Sequence, residues 1–153
     1  MQQLIEDARR ALDSIGGVVE CCAVGLSPGI GSPIFDNIES VISSLLFSIP
    51  GVKGVSFGAG FDAAGMYGSR NNDPFLMREG KIATQTNHHG GILGGISSGM
   101  PITLKAAFKP TPSIAREQDT VDFVRKTDKK LTVTGRHDAC IAVRGVPLSL
   151  IHI

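Results

Sequence analysis

The sequence predicts a single mixed α/β domain of the α+β type, in which a helix covers a sheet. Three observations carry that expectation. The run 102–108 places Ile102, Leu104, Ala106 and Phe108 on one face, the two-residue period of a half-buried strand. Ile38, Val41, Ile42, Leu45, Leu46 and Ile49 recur at the spacing of a helix face and give the strongest helical signal in the chain. At 153 residues, 42% hydrophobic and 19% charged, the chain supports one domain with a substantial core.

Taken in order, residues 2–15 put Leu4, Ile5, Ala8, Leu12 and Ile15 on one helical face, and Gly16-Gly17 stops that helix. A strand is expected over 18–24, then a loop over 25–33, where Gly, Pro and Ser dominate. Asp36 and Glu39 make a capping-box-like start to the helix that runs to Ile49, and Pro50 ends it. A strand over 52–57 leads to a helical turn near 61–66 and a polar loop over 68–80. Further strands are expected at 82–86, 102–108 and 131–134. Neither an internal repeat nor a low-complexity linker interrupts this pattern.

Composition excludes several function classes. With Lys+Arg 15 against Asp+Glu 14 the net charge is +1, so no global field favours nucleic acid or an anionic membrane. No stretch reaches the roughly 18 apolar residues of a spanning helix, and Glu6, Asp7, Arg9 and Arg10 do not fit a signal peptide. A cytoplasmic protein is the resulting expectation. Cys21, Cys22 and Cys140 are odd in number and lack CxxC spacing, so buried reduced thiols are expected rather than disulfides or structural zinc. His88-His89 are ligand-type residues, but no third and fourth ligand stand at a recognisable spacing, so no metal centre is expected.

Two clusters point to a binding site. Residues 90–99 hold five glycines in ten positions, an entropic cost that makes sense where something approaches the backbone closely. After one strand-like run comes Lys109-Pro110-Thr111-Pro112-Ser113, a proline-stiffened loop whose lysine, threonine and serine offer donors to an anion. A third motif, Gly58-Ala59-Gly60-Phe61-Asp62-Ala63, fits the dinucleotide fingerprint, with Glu79 about 20 residues on. Gly65, Gly68 and Pro74 deny it the long helix that fingerprint opens, so a glycine-rich strand exit is the better reading.

The runs GGVVE (16–20), GVKGVSFGAGFDAA (51–64), NNDPF (71–75), TNHHGGILGGISSGMPI (86–102), FKPTPSI (108–114) and GRHDAC (135–140) resemble, in order and spacing, the C-terminal half of the chorismate synthase family. The resemblance covers residues 1–147. It implies an antiparallel-rich sheet covered by helices, about half of the family's β-α-β sandwich. It also implies an anti-1,4-elimination of phosphate from 5-enolpyruvylshikimate 3-phosphate to give chorismate, with reduced FMN as cofactor and no net oxidation. A cytoplasmic homotetramer and a link to NADP belong to the same implication.

Carried over by position, the family's flavin and substrate contacts fall on Pro50, Gly51, Gly94, Lys109, Pro110, Thr111, Pro112, Ser113 and Arg136. Asp138 matches an aspartate near the reactive edge of the flavin, where a carboxylate can assist proton transfer. From residue type alone, Lys109 and Arg136 are equally solvated surface charges, His137 an outward loop residue and Asp138 a turn cap. Departures from the family pattern include His89, Ala139, Gly51, Gly65 and Tyr67. The family's N-terminal half, with its SHG-containing opening, its substrate-gripping arginines and two acid-base histidines, has no counterpart in these residues. Residues 148–153 form an atypical tail resembling a translated library adapter, so a frame cut at both ends is expected. Two function classes follow: part of an FMN-dependent lyase, inactive until a chain supplies the other half, or a non-catalytic remnant acting as a binding or structural module.

Overall fold

A computed structural model describes the backbone of residues 1–152 and the side chains of residues 1–147. The expectation of an atypical tail at 148–153 therefore falls outside the described side chains. The elements run α1 (Gln2–Arg10), β1 (Gly17–Ala23), α2 (Ile38–Ser48), β2 (Val52–Phe57), a 3-10 turn (Gly60–Gly65), α3 (Gly68–Asn71), β3 (Phe75–Arg78), β4 (Lys81–Thr84), β5 (Ile92–Leu93), β6 (Ile96–Ser97), β7 (Ile102–Phe108), β8 (Gln118–Asp122), β9 (Thr127–Leu131) and α4 (Ala142–His152). Every paired strand is antiparallel to its neighbour, as an α+β domain requires.

The main sheet has the order β1-β7-β2. Its register aligns Val19 and Val55 with Ala106, and Cys21 and Phe57 with Leu104, so one face of all three strands is apolar. On that face Ile102, Leu104, Ala106 and Phe108 are buried, and all but Ile102 belong to the core formed with Leu46, Ile49, Val52, Cys140 and Ala142. The opposite face is wet, with Glu20 opposite Lys105 in a solvated ion pair at 3.7 Å that adds little stability. The same alternation leaves Cys22 exposed and Cys21 half-buried, so of the three thiols only Cys140 is buried as expected.

Helix α2 lies across this sheet through Leu46, and the capping residue Ile49 packs into the same core. Its cap is one residue later than the sequence suggests: Asn37, not Asp36, accepts the Ser40 N–H at 2.7 Å. At the other end Ile49 is extended, the conformation imposed on a residue preceding proline. Helix α4 presses closer still. A Cβ on Gly145 would stand 2.2 Å from the Phe108 ring, so only glycine lets this helix reach the sheet.

Several expectations fail for identifiable reasons. The first helix stops at Arg10, not residue 15, because Leu12 takes a positive φ of 58° and Ser14 and Ile15 bond to Thr111 and Ala139 instead. The polar loop at 68–80 contains α3 and β3, and β3 pairs with β4 through a turn at Glu79-Gly80, both at positive φ, the geometry of a tight hairpin. No strand covers 132–134. Strands β8 and β9 form a hairpin instead, around Asp122, whose carboxylate accepts the Val124 and Arg125 N–H groups at 2.9 Å.

Replacing Leu46, which has no exposed surface, with alanine should cost about 2–5 kcal/mol. Phe61→Ala, at 89% exposure, should change stability by less than about 0.5 kcal/mol. Urea unfolding of the two variants checks the contrast, and equal losses would contradict the placement of the core.

Candidate functional site

Strand β7 delivers its chain to the candidate site. Just beyond Phe108, the Lys109 N–H donates to the Gly51 carbonyl at 2.9 Å, which sets Pro50-Gly51 beside the Lys109–Ser113 loop. The connection between α1 and β1 then ties two further segments in. Ser14 Oγ donates to the Thr111 carbonyl at 2.7 Å, and the Ile15 N–H donates to the Ala139 carbonyl at 2.8 Å. Ser113, Gly135, His137 and Asp138 consequently share one cavity with Arg9 and Asp13. Pro50, Gly51, Lys109–Ser113 and Arg136–Asp138, far apart in sequence, are thus gathered around one end of the main sheet.

Gly94 is not among them. It occupies the turn of the β5–β6 hairpin, where Gly94 and Gly95 both have positive φ, as a two-residue turn of this kind demands. The Gly95 carbonyl accepts the Ile38 N–H at the start of α2, whereas Gly51 follows the end of that helix. Gly94 and Gly51 therefore lie beyond opposite ends of an 11-residue helix, itself about 16 Å long.

The glycine cluster is explained by the protein's own backbone. A Cβ on Gly58 would lie 2.0 Å from the His88 carbonyl oxygen, and one on Gly90 would lie 2.4 Å from the Gly58 nitrogen. The dinucleotide-like motif is therefore a packing surface for the 86–91 loop, and β2 beside it pairs antiparallel rather than in a βαβ unit. Glu79 lies in the β3–β4 turn. At Gly94 alone in the 90–95 run does a Cβ meet open space, so this is where a ligand has room to approach.

Charge and hydrogen bonding in the main cluster suit an anionic, polar ligand. Lys109 and Arg136 are exposed and form no ion pair among the described residues. Thr111 Oγ1 and His137 Nε2 are buried without a hydrogen-bond partner, a state that ligands or ordered water ordinarily relieve. Asp138 is half-buried, and its Oδ2 lies 3.1 Å from Arg144 Nε, which orients the carboxylate. Sequence reasoning passed over Arg9 and Arg144, and it read His137 as outward. Arg9 and His137 meet in the cavity wall, and Arg144 meets Asp138, only once the α1–β1 connection and α4 close on the loop.

A second polar cluster also escaped the sequence. The Asp73 side chain, 2% exposed, accepts from Thr86 Oγ1 at 2.6 Å and from the His88 and His89 backbone N–H groups at 2.8 and 3.0 Å. His89 Nδ1 stands 2.7 Å from Asp73 Oδ2, and His88 Nδ1 3.3 Å from Oδ1. Burial pushes the Asp73 carboxyl up, but the His89 N–H, the Thr86 hydroxyl, the His88 N–H and the charge of His89 outweigh it and hold it below the usual 3.8. A depressed carboxylate adds stability above its unfolded value and loses it as pH falls through the folded one. Asp73 therefore grips the loop in full at neutral pH and lets go only below 3.8. Among the described residues no group of three or more His, Cys, Asp or Glu is placed to hold a metal ion.

Comparison with known proteins agrees over almost the whole chain. A family model for chorismate synthase matches residues 1–150. Chorismate synthase of Korarchaeum cryptofilum is 53% identical over 146 residues, 95% of this chain and 40% of that protein. Chorismate synthase of Thermococcus kodakarensis is 50% identical over 148 residues, 97% of this chain and 42% of that protein. A crystal structure of chorismate synthase superposes with a TM-score of 0.68 at 37% identity, covering 73% of this chain and 34% of that one. The chain spans about two fifths of the length of these curated relatives. Sequence and structure together show that the chain belongs to the chorismate synthase family.

Proposed function

We propose that this chain forms part of the flavin and substrate site of a chorismate synthase, which eliminates phosphate from 5-enolpyruvylshikimate 3-phosphate to give chorismate. The observation that carries the reading is the gathering of Pro50-Gly51, Lys109–Ser113 and Arg136–Asp138 at one end of the sheet, with two cations unpaired and two buried polar groups unpartnered among the described residues. In this reaction a C–O bond to phosphate and a C–H bond break, and the proton is removed. Reduced FMN, when bound, supplies electron density to the carbon that phosphate leaves.

The chain's own groups fit the remaining tasks. Lys109 pairs with an anionic oxygen as a point charge, and Arg136 can hold phosphate or carboxylate through two parallel N–H donors. Ser113 and His137 add polar groups to the cavity wall, and Thr111 Oγ1 lies buried in the adjoining loop. Asp138 is the candidate proton acceptor, aimed by Arg144. Gly94, beyond the opposite end of α2, meets the same ligand only if that ligand is extended or if a second chain brings another copy of the turn.

Assembly follows from α2. Besides Leu46, which packs into the core, it carries Val41, Leu45 and Phe47, and these three are exposed. Grouped apolar side chains of this size on one exposed helix mark a surface that another layer covers. The proposed cover is a further chorismate synthase layer, from another copy of this chain or from a chain carrying the rest of the fold. The chain alone should therefore self-associate. Light scattering tests this, and a monodisperse monomer that binds no hydrophobic dye would contradict it.

Because preorganised groups act together in such sites, a polypeptide of these 153 residues alone should give no turnover. An anaerobic assay with reduced FMN and substrate checks this, and robust chorismate formation would overturn it. FMN binding is a separate measurement. Lys109→Ala and Arg136→Ala should each weaken FMN or substrate by about 1.5–3 kcal/mol, the range for hydrogen bonds to charged groups, with melting unchanged because both side chains are exposed. Arg136→Lys should recover only part of the loss. Unchanged affinities in folded variants would return both residues to the solvated surface and favour the non-catalytic module.

A further inference from the structure

Asp73 belongs to no strand or helix and is absent from the hydrophobic core cluster, yet its carboxylate is almost wholly buried. All its hydrogen bonds run to the segment 86–89: the Thr86 hydroxyl and His88 N–H on Oδ1, the His89 N–H on Oδ2. Downstream, the bonds continue without a gap. Asn87 Oδ1 accepts the Gly91 N–H, and Asn87 Nδ2 donates to the Pro101 carbonyl. The Gly90 carbonyl accepts the Thr103 N–H, and the Gly91 carbonyl accepts the Ser98 N–H. The β5–β6 hairpin, with Gly94 at its turn, grows directly out of this stretch. We propose that Asp73 is a positioning residue for the glycine turn: by pinning the backbone at 86–89 it sets the place of Gly94 relative to the ligand. The ligand part of this proposal rests on the reading of Gly94 as a flavin contact.

The chemistry of the grip makes a carboxylate necessary. Each oxygen of Asp73 accepts a backbone N–H, and only a group with two acceptor oxygens can do so. An asparagine in its place presents NH2 to one of those N–H groups, donor against donor, in a buried site. The rings of His88 and His89 are the titratable groups facing the carboxylate. They stand beside a grip whose hydrogen bonds come from backbone N–H and a hydroxyl.

The test compares the wild-type chain with Asp73→Asn by NMR-detected amide exchange and by FMN titration. In the variant, the amides of His88, His89, Gly90 and Gly91 should exchange at least about tenfold faster, the effect of leaving a buried donor unpaired, while those of β1, β2 and β7 change less than about twofold. The amide proton signals of His88 and His89, expected downfield because both donate to a carboxylate, should move upfield together in the variant. FMN affinity should fall by a comparable factor, with melting little changed. Unchanged loop exchange overturns the proposal. So does uniform acceleration across the sheet, which marks a purely structural residue, and so does faster loop exchange with unaltered FMN affinity. If the Asp73→Asn chain fails to fold, Thr86→Val removes one donor and should loosen the same amides by a smaller factor; no change there also overturns the grip. A wild-type chain that keeps these amides protected but binds no FMN overturns the ligand part of the proposal and leaves the grip standing, which separates the two failures.

Discussion

The double pairing of β7 is the constraint on which the rest of this structure depends. Flanked on both sides by antiparallel partners, the strand has its hydrogen bonds satisfied along its length, and one face supplies Ile102, Leu104, Ala106 and Phe108 to the interior. Its two ends feed the glycine loop and the lysine loop. At the start, Thr103 bonds to Gly58 and Gly90 and so receives the glycine loop. Beyond Phe108, Lys109 bonds to Gly51 and opens the cationic loop. A shift of one residue in this register would turn the apolar face outward and swing both loops to the wrong side.

Packing around β7 is unusually close, and glycine makes that possible. Gly145 allows α4 to lie against the Phe108 ring, and Gly58 and Gly90 allow two loops to touch backbone to backbone. Backbone at such short range has no side chains to fix it, so polar anchors take over. Asp73 and Asn87 serve the glycine loop, and Ser14 and Ile15 serve the loops at the other end. This division explains why a domain of net charge +1 can still present a local cationic site. The cations lie on anchored loops rather than on a charged face of the fold.

What was legible in the sequence was whatever depends on a short period. Strands β2 and β7 were readable to the residue, and α2 to within one, because alternation and helical spacing survive in the residues themselves. Strand β9, Thr-Asp-Lys-Lys-Leu, is exposed throughout and shows no buried face, so it leaves no periodic trace; Asp122 in the turn is its clearest local signal. The early end of α1 was not readable either, since bonds from Ser14 and Ile15 to residues about a hundred positions away decide it. For the site, family resemblance supplied the residues and the fold supplied their grouping. It joined Pro50-Gly51 to Lys109–Ser113 and Arg136–Asp138, separated Gly94 from them, and added Arg9, His137 and Arg144.

That separation has a physical consequence for how such a site works. A ligand held only by Lys109 and Arg136 would rest on two exposed, flexible cations, and ion pairs of that kind are weak in water. Strength comes when the ligand also excludes water and meets donors that do not need to be ordered first. Thr111 Oγ1 and His137 Nε2 are already buried, and the α1–β1 connection holds the loops that bear them. The entropy of arranging this polar lining has thus been spent in folding the sheet end, before any ligand arrives. Covering the exposed side of α2 would extend the same logic, because a second layer would lower the local dielectric around the cationic loop and strengthen each of its contacts.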